Sequence, residues 1–368
     1  MSICAYFPAC RGCDLWDQSY ESQKILKLQN LNDLLNLSDM RPNAEKNFVS
    51  IKPMGLRHRF DFTFEIGQEQ KMGFYDRDRN LLDLEICLQL SAELQNIFTL
   101  FRKIKINSGN TQIRKGSARL RVGPTGLYGI WLDLANVDIK SLLDDSVYLN
   151  QLLEAGFNIE MGQKAKRVRR LNGKLKLTDS EAAVWFQTQN YKLHSFISDF
   201  TQPSWLSANK LVEVVLNWCE NKNIKSMIEF GPGIGQFTIP LLAKNIHVEA
   251  FENNSKAVEV LQLNAKLHDL EKNLVIHHGD YQKKSEAMTA PEFDLVLVNP
   301  PRSGLKNFVR TIIETQSRYC IYVSCFPESL KTDIVELQKA GYRITDTKIV
   351  DQFPQTTHYE SCVLLEKI

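Results

Sequence analysis

The first half of the chain alternates apolar and polar positions with period two, in Phe60 to Ile66, Ala118 to Val122 and Tyr128 to Leu132, with Gly, Pro and Asn between the runs. Such alternation puts one face of a strand in a core and the other in water, so an antiparallel, β-rich (α+β) domain is predicted. From Trp205 the pattern changes. The segment WLSANKLVEVVLNWCENKN has helical spacing, and after it short apolar runs alternate with amphipathic stretches: Ser226 to Phe230, Val248 to Glu252, Leu274 to His277, Leu295 to Val298 and Cys320 to Val323. Apolar strands separated by helices predict an α/β, Rossmann-like domain with a mostly parallel sheet. The change falls near residues 190 to 200 and divides the chain into 1–195 and 196–368.

A length of 368 residues allows each half its own core. No apolar run approaches the ~20 residues of a membrane-spanning helix, and Met1-Ser2-Ile3-Cys4 lacks the zones of a signal peptide. A cytoplasmic monomer with no membrane partner is expected. Eight cysteines are too sparse for a disulfide scaffold in a chain this long. The net charge of +2 announces no nucleic-acid partner, yet the basic residues are clustered. Gln163 to Lys176 carries Lys164, Lys166, Arg167, Arg169, Arg170, Lys174 and Lys176 with no acid, and Arg102 to Arg121 is likewise basic, with Arg114, Lys115, Arg119 and Arg121. Either segment alone reads equally well as a solvated face; together with the motifs below, phosphate binding is the better reading.

In the α/β half, Ile228-Glu229-Phe230-Gly231-Pro232-Gly233-Ile234-Gly235 follows one strand and opens a helical segment. Glycines there permit a sharp turn and close approach of a ligand. About twenty residues on, Glu252 ends a second strand, placed to accept from ribose hydroxyls. Asp280, after the third strand, is placed to meet an adenine amino group. Taken singly, Glu252 and Asp280 read as well as helix caps or solvated acids. These features suit NAD and S-adenosylmethionine equally. The fourth strand separates them, because Leu297-Val298-Asn299-Pro300-Pro301-Arg302 has the Asn-Pro-Pro of methyltransferases acting on nucleobases and has no role in a dehydrogenase. An exocyclic-amine methyltransferase continues with Tyr or Phe to stack the base; here Arg302 follows, better suited to a phosphate or carboxylate.

Methylation at C5 of uracil needs a thiolate that adds to C6 and a base that later removes the C5 proton. Cys325 follows an apolar strand at the edge where open α/β sheets bind ligands, whereas Cys320 falls inside that strand and reads as core. Near the C-terminus, Phe353-Pro354-Gln355-Thr356-Thr357-His358-Tyr359-Glu360 supplies a carboxylate ahead of the final strand, Ser361 to Leu365. Glu360 is the candidate base and His358 its rival. In the first half, Cys4, Cys10 and Cys13, with Cys87 downstream, suit a Cys4 iron–sulfur cluster or a structural zinc; one long and one short gap favour the cluster.

Together these residues resemble the RNA uracil-5-methyltransferase family over nearly the whole chain. The resemblance runs through the cysteine spacing, Tyr75-Asp76-Arg77-Asp78, Phe200-Thr201-Gln202, the glycine loop, Asn299-Pro300-Pro301-Arg302, Ser324-Cys325 and Phe353-Pro354 to Glu360. It implies a [4Fe–4S] cluster on Cys4, Cys10, Cys13 and Cys87 in an RNA-binding first domain. It also implies S-adenosylmethionine as cofactor, with Gln202, Glu229, Gly231, Gly233, Glu252, Asp280 and Asn299 contacting cofactor or substrate, Cys325 as nucleophile and Glu360 as base. Gln187 is set aside, because Gln202 lies at the family's distance from the glycine loop. The substrate it implies is 23S rRNA, at a uridine of the 747 type, with the T-loop uridine of tRNA as the alternative; an exocyclic-amine methyltransferase and a non-enzymatic RNA-binding protein remain further readings. The chain departs from the family at Glu229 to Gly233, where the usual loop reads Asp-Leu-Tyr/Phe-Cys-Gly, and at Phe326-Pro327, where Asn-Pro or Asn-Ala is usual.

Overall fold

The computed structural model describes residues 4–37, 46–106, 113–135, 137–144, 146–279 and 293–368. Asp280 lies outside them. Along the chain the strands are β1 (Phe48–Val49), β2 (Arg59–Ile66), β3 (Gln70–Tyr75), β4 (Leu81–Asp83), β5 (Lys115–Val122), β6 (Tyr128–Leu134), β7 (Asn158–Met161), β8 (Lys166–Leu171) and β9 (Lys174–Asp179). They continue as β10 (Ala183–Thr188), β11 (Tyr191–Ser195), β12 (Ser226–Phe230), β13 (His247–Glu252), β14 (Leu274–His278), β15 (Leu295–Val298), β16 (Tyr319–Ser324), β17 (Tyr342–Val350) and β18 (Glu360–Lys367). Two units emerge. One comprises Met1–Asp17, Lys52–Phe186 and His194–Ser204, the other Gln18–Ile51, Gln187–Leu193 and Trp205–Ile368.

The first unit is built on a sheet ordered β4-β3-β2-β5-β6-β7-β8-β9, antiparallel except where β6 runs parallel to β7. The alternation of β2 does what its period predicts: Phe60, Phe62 and Phe64 are buried and Asp61 is exposed. Phe60 and Phe62 meet Phe98 of the helix Ala92–Lys103 edge-on, at 5.1 and 5.3 Å between ring centres, a geometry that suits the ring quadrupoles. Ser91 caps that helix by accepting from Leu94 N. Arg102 in its last turn grips Asp83 with both guanidinium nitrogens at 2.6 and 2.8 Å.

In the second unit the sheet order is β1-β17-β18-β16-β15-β12-β13-β14. Strands β12 to β16 are mutually parallel, and β18 returns antiparallel between β16 and β17. Every residue of β15 and β16 is buried, as expected of central strands covered on both faces. Cys320 is among them, in the core as its place in the strand predicts. The chain leaves β12 toward β13 and β14 on one side and returns through β15 and β16 on the other, so the order reverses at the β12/β15 boundary, where such sheets open a ligand crevice. No helix among the described residues is long and apolar enough to cross a membrane.

Residues 18–51, which a division at 195 groups with the β-rich half, belong to this second unit. The helix Tyr20–Leu35 buries Gln23, Lys27, Leu31 and Leu35 along one stripe. Leu31 and Leu35 join the core that also holds Ile334, Leu337, Ile349 and Tyr359, and β1 extends the sheet edge beside β17.

Candidate active site

The glycine loop leaves β12 with Gly231 and Gly233 at φ +71° and +57°, a left-handed backbone that glycine adopts freely. Among the described residues, a Cβ at either position would meet no atom within 4 Å, so both face open space. Gly231 lines a cavity of about 350 Å³ with Phe230, Asn253, Asn299, Pro300, Pro301 and Phe308. The ends of β12 and β15 thus meet at the sheet's switch point. Glu252, at the end of β13, is fixed by two backbone amides: Gly233 N donates to one oxygen at 3.2 Å and Asn254 N to the other at 2.9 Å. Glu229 is fully buried and accepts from the Thr238 hydroxyl at 2.6 Å. Burial, and then the charge of Glu252, push its carboxyl up to about 7. It braces the loop against the next helix. Gln202 is buried in the first unit, in a segment where Arg59 donates to the Thr201 carbonyl and His58 N to that of Pro203.

The carboxyl end of β16 and the amino end of β18 coincide. Ser324 pairs with Ser361 across the antiparallel ladder, and Ser361 Oγ donates to the Ser324 carbonyl at 3.1 Å. One residue beyond that rung stand Cys325 on one strand and Glu360 on the other. Cys325 is half-buried. Burial and the Glu360 charge raise its thiol above the ordinary range, while a hydrogen bond and the positive charge of Arg302 pull it down. Glu360 is fully buried and its carboxyl is pushed up to about 8 by burial, against the lowering effect of a Gln352 hydrogen bond and of Arg302. His358 is exposed and packs edge-on against Phe353.

Sequence reasoning missed Gln352 and Ser207. Gln352 Nε2 donates to Glu360 Oε1 at 2.6 Å, and Ser207 Oγ donates to Gln352 Oε1 at 2.9 Å. Gln352 stands one residue ahead of the Phe353-Pro354 motif, which is the only signal the sequence carries for it; Ser207 lies in a helix with none.

In the first unit Cys4, Cys10, Cys13 and Cys87 line one cavity of about 430 Å³, together with Arg57, Phe60 and Phe74. Gly12 N donates to Cys10 Sγ at 3.5 Å, and burial followed by Cys87 pushes the Cys13 thiol up to about 12. No three His, Cys, Asp or Glu side chains among the described residues close on a single ion. The basic runs divide. Lys166, Arg169 and Arg170 form surface pairs with Asp179, Glu181 and Glu154, and Lys164, Lys174 and Lys176 are exposed. Arg121, counted with the second run, is instead buried, clamping the Phe196 carbonyl and the Thr201 hydroxyl at 2.7 and 2.9 Å.

A family model described as tRNA (uracil-5-)-methyltransferase matches residues 143–368. An uncharacterized RNA methyltransferase of Bdellovibrio bacteriovorus is 39% identical over 99% of this chain and 95% of its own length. A 23S rRNA (uracil(1939)-C(5))-methyltransferase of Vibrio parahaemolyticus is 25% identical over 99% of this chain and 82% of its own. Among solved structures, the tRNA (uracil-54, C5)-methyltransferase of Pyrococcus abyssi, in complex with S-adenosyl-L-homocysteine, shares the fold with a TM-score of 0.68 at 20% identity, over 97% of this chain and 86% of that one. Both the family model and the near-full-length relative agree with the motifs from which the resemblance was read, and the chain belongs to the RNA uracil-5-methyltransferase family.

Proposed function

We propose that this protein transfers a methyl group from S-adenosylmethionine to C5 of a uridine in 23S rRNA, with Cys325 as nucleophile and Glu360 as base. The observation that carries the reading is the meeting of Cys325 and Glu360 at one end of the β16/β18 ladder, with Arg302 hydrogen-bonded to the thiol. Arg302 favours the thiolate, which adds to C6 of the uracil and makes C5 nucleophilic. The cofactor, when bound, supplies an electrophilic methyl group. Gly231 and Asn299 line the switch-point cavity and fit it, since Gly231 and Gly233 present bare backbone to open space, and Glu252, bonded to Gly233 N, can accept from hydroxyls. After transfer, Glu360 takes the proton from C5 and the thiolate leaves.

The four cysteines would hold a [4Fe–4S] cluster. Four thiols lining one cavity are the donor set that such a cluster takes. Its role there would be structural, tying the N-terminal segment that carries Cys4, Cys10 and Cys13 to the segment around Cys87. The exposed Lys164, Lys174 and Lys176 supply salt-dependent affinity for phosphates. The target base must stand clear of its stack for Cys325 to reach C6.

The test is methyl transfer from labelled cofactor to unmodified 23S rRNA and, separately, to unmodified tRNA, comparing wild type with Cys325→Ala and mapping the product. 5-Methyluridine in rRNA that vanishes with the variant supports the proposal, and its position distinguishes a 747-type uridine from the 1939 position that names the Vibrio relative. Product in tRNA alone moves the same chemistry to the other RNA. Transfer that persists without the thiol, or a methylated exocyclic amine, overturns it.

A further inference from the structure

The two oxygens of Glu360 are treated differently by the protein. Oε1 accepts from Gln352 Nε2 at 2.6 Å. Oε2 is buried and has no hydrogen-bond partner among the described residues. Gln352 is itself buried, and its carbonyl oxygen accepts from the buried Ser207 hydroxyl at 2.9 Å. The carboxylate fixes which way the amide faces, since turned over it would set its oxygen against a carboxylate oxygen, and Ser207 holds the amide's other end. A carboxylate kept only for packing would have both oxygens satisfied, because an unmet buried acceptor destabilises the fold. The bare oxygen therefore points to use.

Building on the uracil-5-methyltransferase reading, we infer that Gln352, locked by Ser207, is the positioning residue that holds Glu360 by one oxygen and leaves the other free to take the C5 proton. After methyl transfer, C5 carries both the new methyl and its original hydrogen, and C6 is bonded to Cys325 Sγ. Glu360 Oε2 takes the C5 proton, the C–H electron pair becomes the C5=C6 double bond, and the C6–S pair returns to sulfur as the thiolate. The titratable and charged groups acting on Glu360 are Arg302, Cys325 and Cys362. The amide donor also stabilises the ionised base, so its loss makes Glu360 harder to ionise.

The experiment uses the full chain, single turnovers, and two RNAs: one with uridine at the mapped target and one with 5-fluorouridine there, whose C5 substituent no base can remove as a cation. Gln352→Met keeps the side-chain length and removes the donor. On fluorinated RNA, wild type and variant should form the denaturant-stable protein–RNA adduct at comparable rates, since that product needs no proton removal. On uridine RNA the variant should methylate and then stall, with adduct resolution slowed about tenfold and its pH midpoint about one unit higher, the worth of one hydrogen bond to a charged group. Ser207→Ala should move both readings the same way by less, and serves if Gln352→Met does not fold. Resolution at the wild-type rate and midpoint in both variants overturns the inference, as does equal slowing on the two RNAs, which marks a structural role. If wild type forms no adduct with fluorinated RNA, the thiol-addition reading itself fails and the inference falls with it.

Discussion

Lys27 and Asp351 form an ion pair, Nζ to Oδ1 2.7 Å, with both side chains fully buried. Around it, Lys27 Nζ donates to the Phe353 carbonyl at 3.0 Å, the Tyr20 hydroxyl donates to Asp351 at 2.9 Å, and Gln23 and Gln355 exchange hydrogen bonds at 2.8 and 2.9 Å. The helix Tyr20–Leu35 is thereby stitched to the loop that leads from β17 to Glu360. Removing one partner leaves a buried charge uncompensated, so Lys27→Met should lower the unfolding free energy of its unit by about 3–5 kcal/mol, measured by urea titration. Lys27→Met with Asp351→Leu should recover part of that loss. An unchanged midpoint for the single variant would refute the account.

Glu360 sets the pH dependence. Its carboxyl is raised from 4.5 to about 8, so the ionised, base-competent form gains population as pH rises through about 8, and resolution of the protein–RNA adduct should accelerate over that window. Stability runs the other way. A carboxyl raised by folding contributes stability that is present below its unfolded value and lost as pH rises through the folded one. Wild type should therefore lose more thermal stability than Glu360→Gln between about pH 6 and about pH 9, by differential scanning calorimetry. Equal losses would place the alkaline transition elsewhere.

The glycines of the loop after β12 should separate by function. Gly235 has φ +93°, and a Cβ there would stand 2.7 Å from Leu261 Cδ1 and 3.0 Å from Ile239. Gly235→Ala should destabilise by about 1–3 kcal/mol through overpacking added to backbone strain. Gly233→Ala meets open space, so it should unfold only about 1–2 kcal/mol sooner while weakening S-adenosylmethionine binding in calorimetric titration. Intact affinity would remove this loop from the cofactor site.

The cysteine cavity gives a compositional prediction. Protein purified without oxygen should contain iron and acid-labile sulfide, and Cys13→Ser should lose both. Zinc without sulfide in the wild type would identify the other metal.

Local patterns carried much of this. Strands β12 and β15 begin and end where their apolar runs do, and β13, β14 and β16 differ by a residue at most at either end, because burial on both faces is written in consecutive positions. The same holds for Cys325 just past a strand and for the glycines after β12, whose chemistry needs only a type and an adjacent element. The tertiary structure decided what depends on partners. The helix Tyr20–Leu35 presents Gln23 and Lys27 on the stripe that continues as Leu31 and Leu35, so periodicity could not mark its first half as buried; only Asp351 and Gln355, more than three hundred positions away, make it so. Arg121 and Arg119 belong to one basic run, yet Arg121 is buried and Arg119 is not. Gln352 matters because β17, β18 and the helix Trp205–Asn221 bring Ser207, Gln352 and Glu360 together. Propensity and periodicity are set by neighbours in sequence, whereas a hydrogen bond to a buried charge is set by neighbours in space, which the chain acquires only on folding.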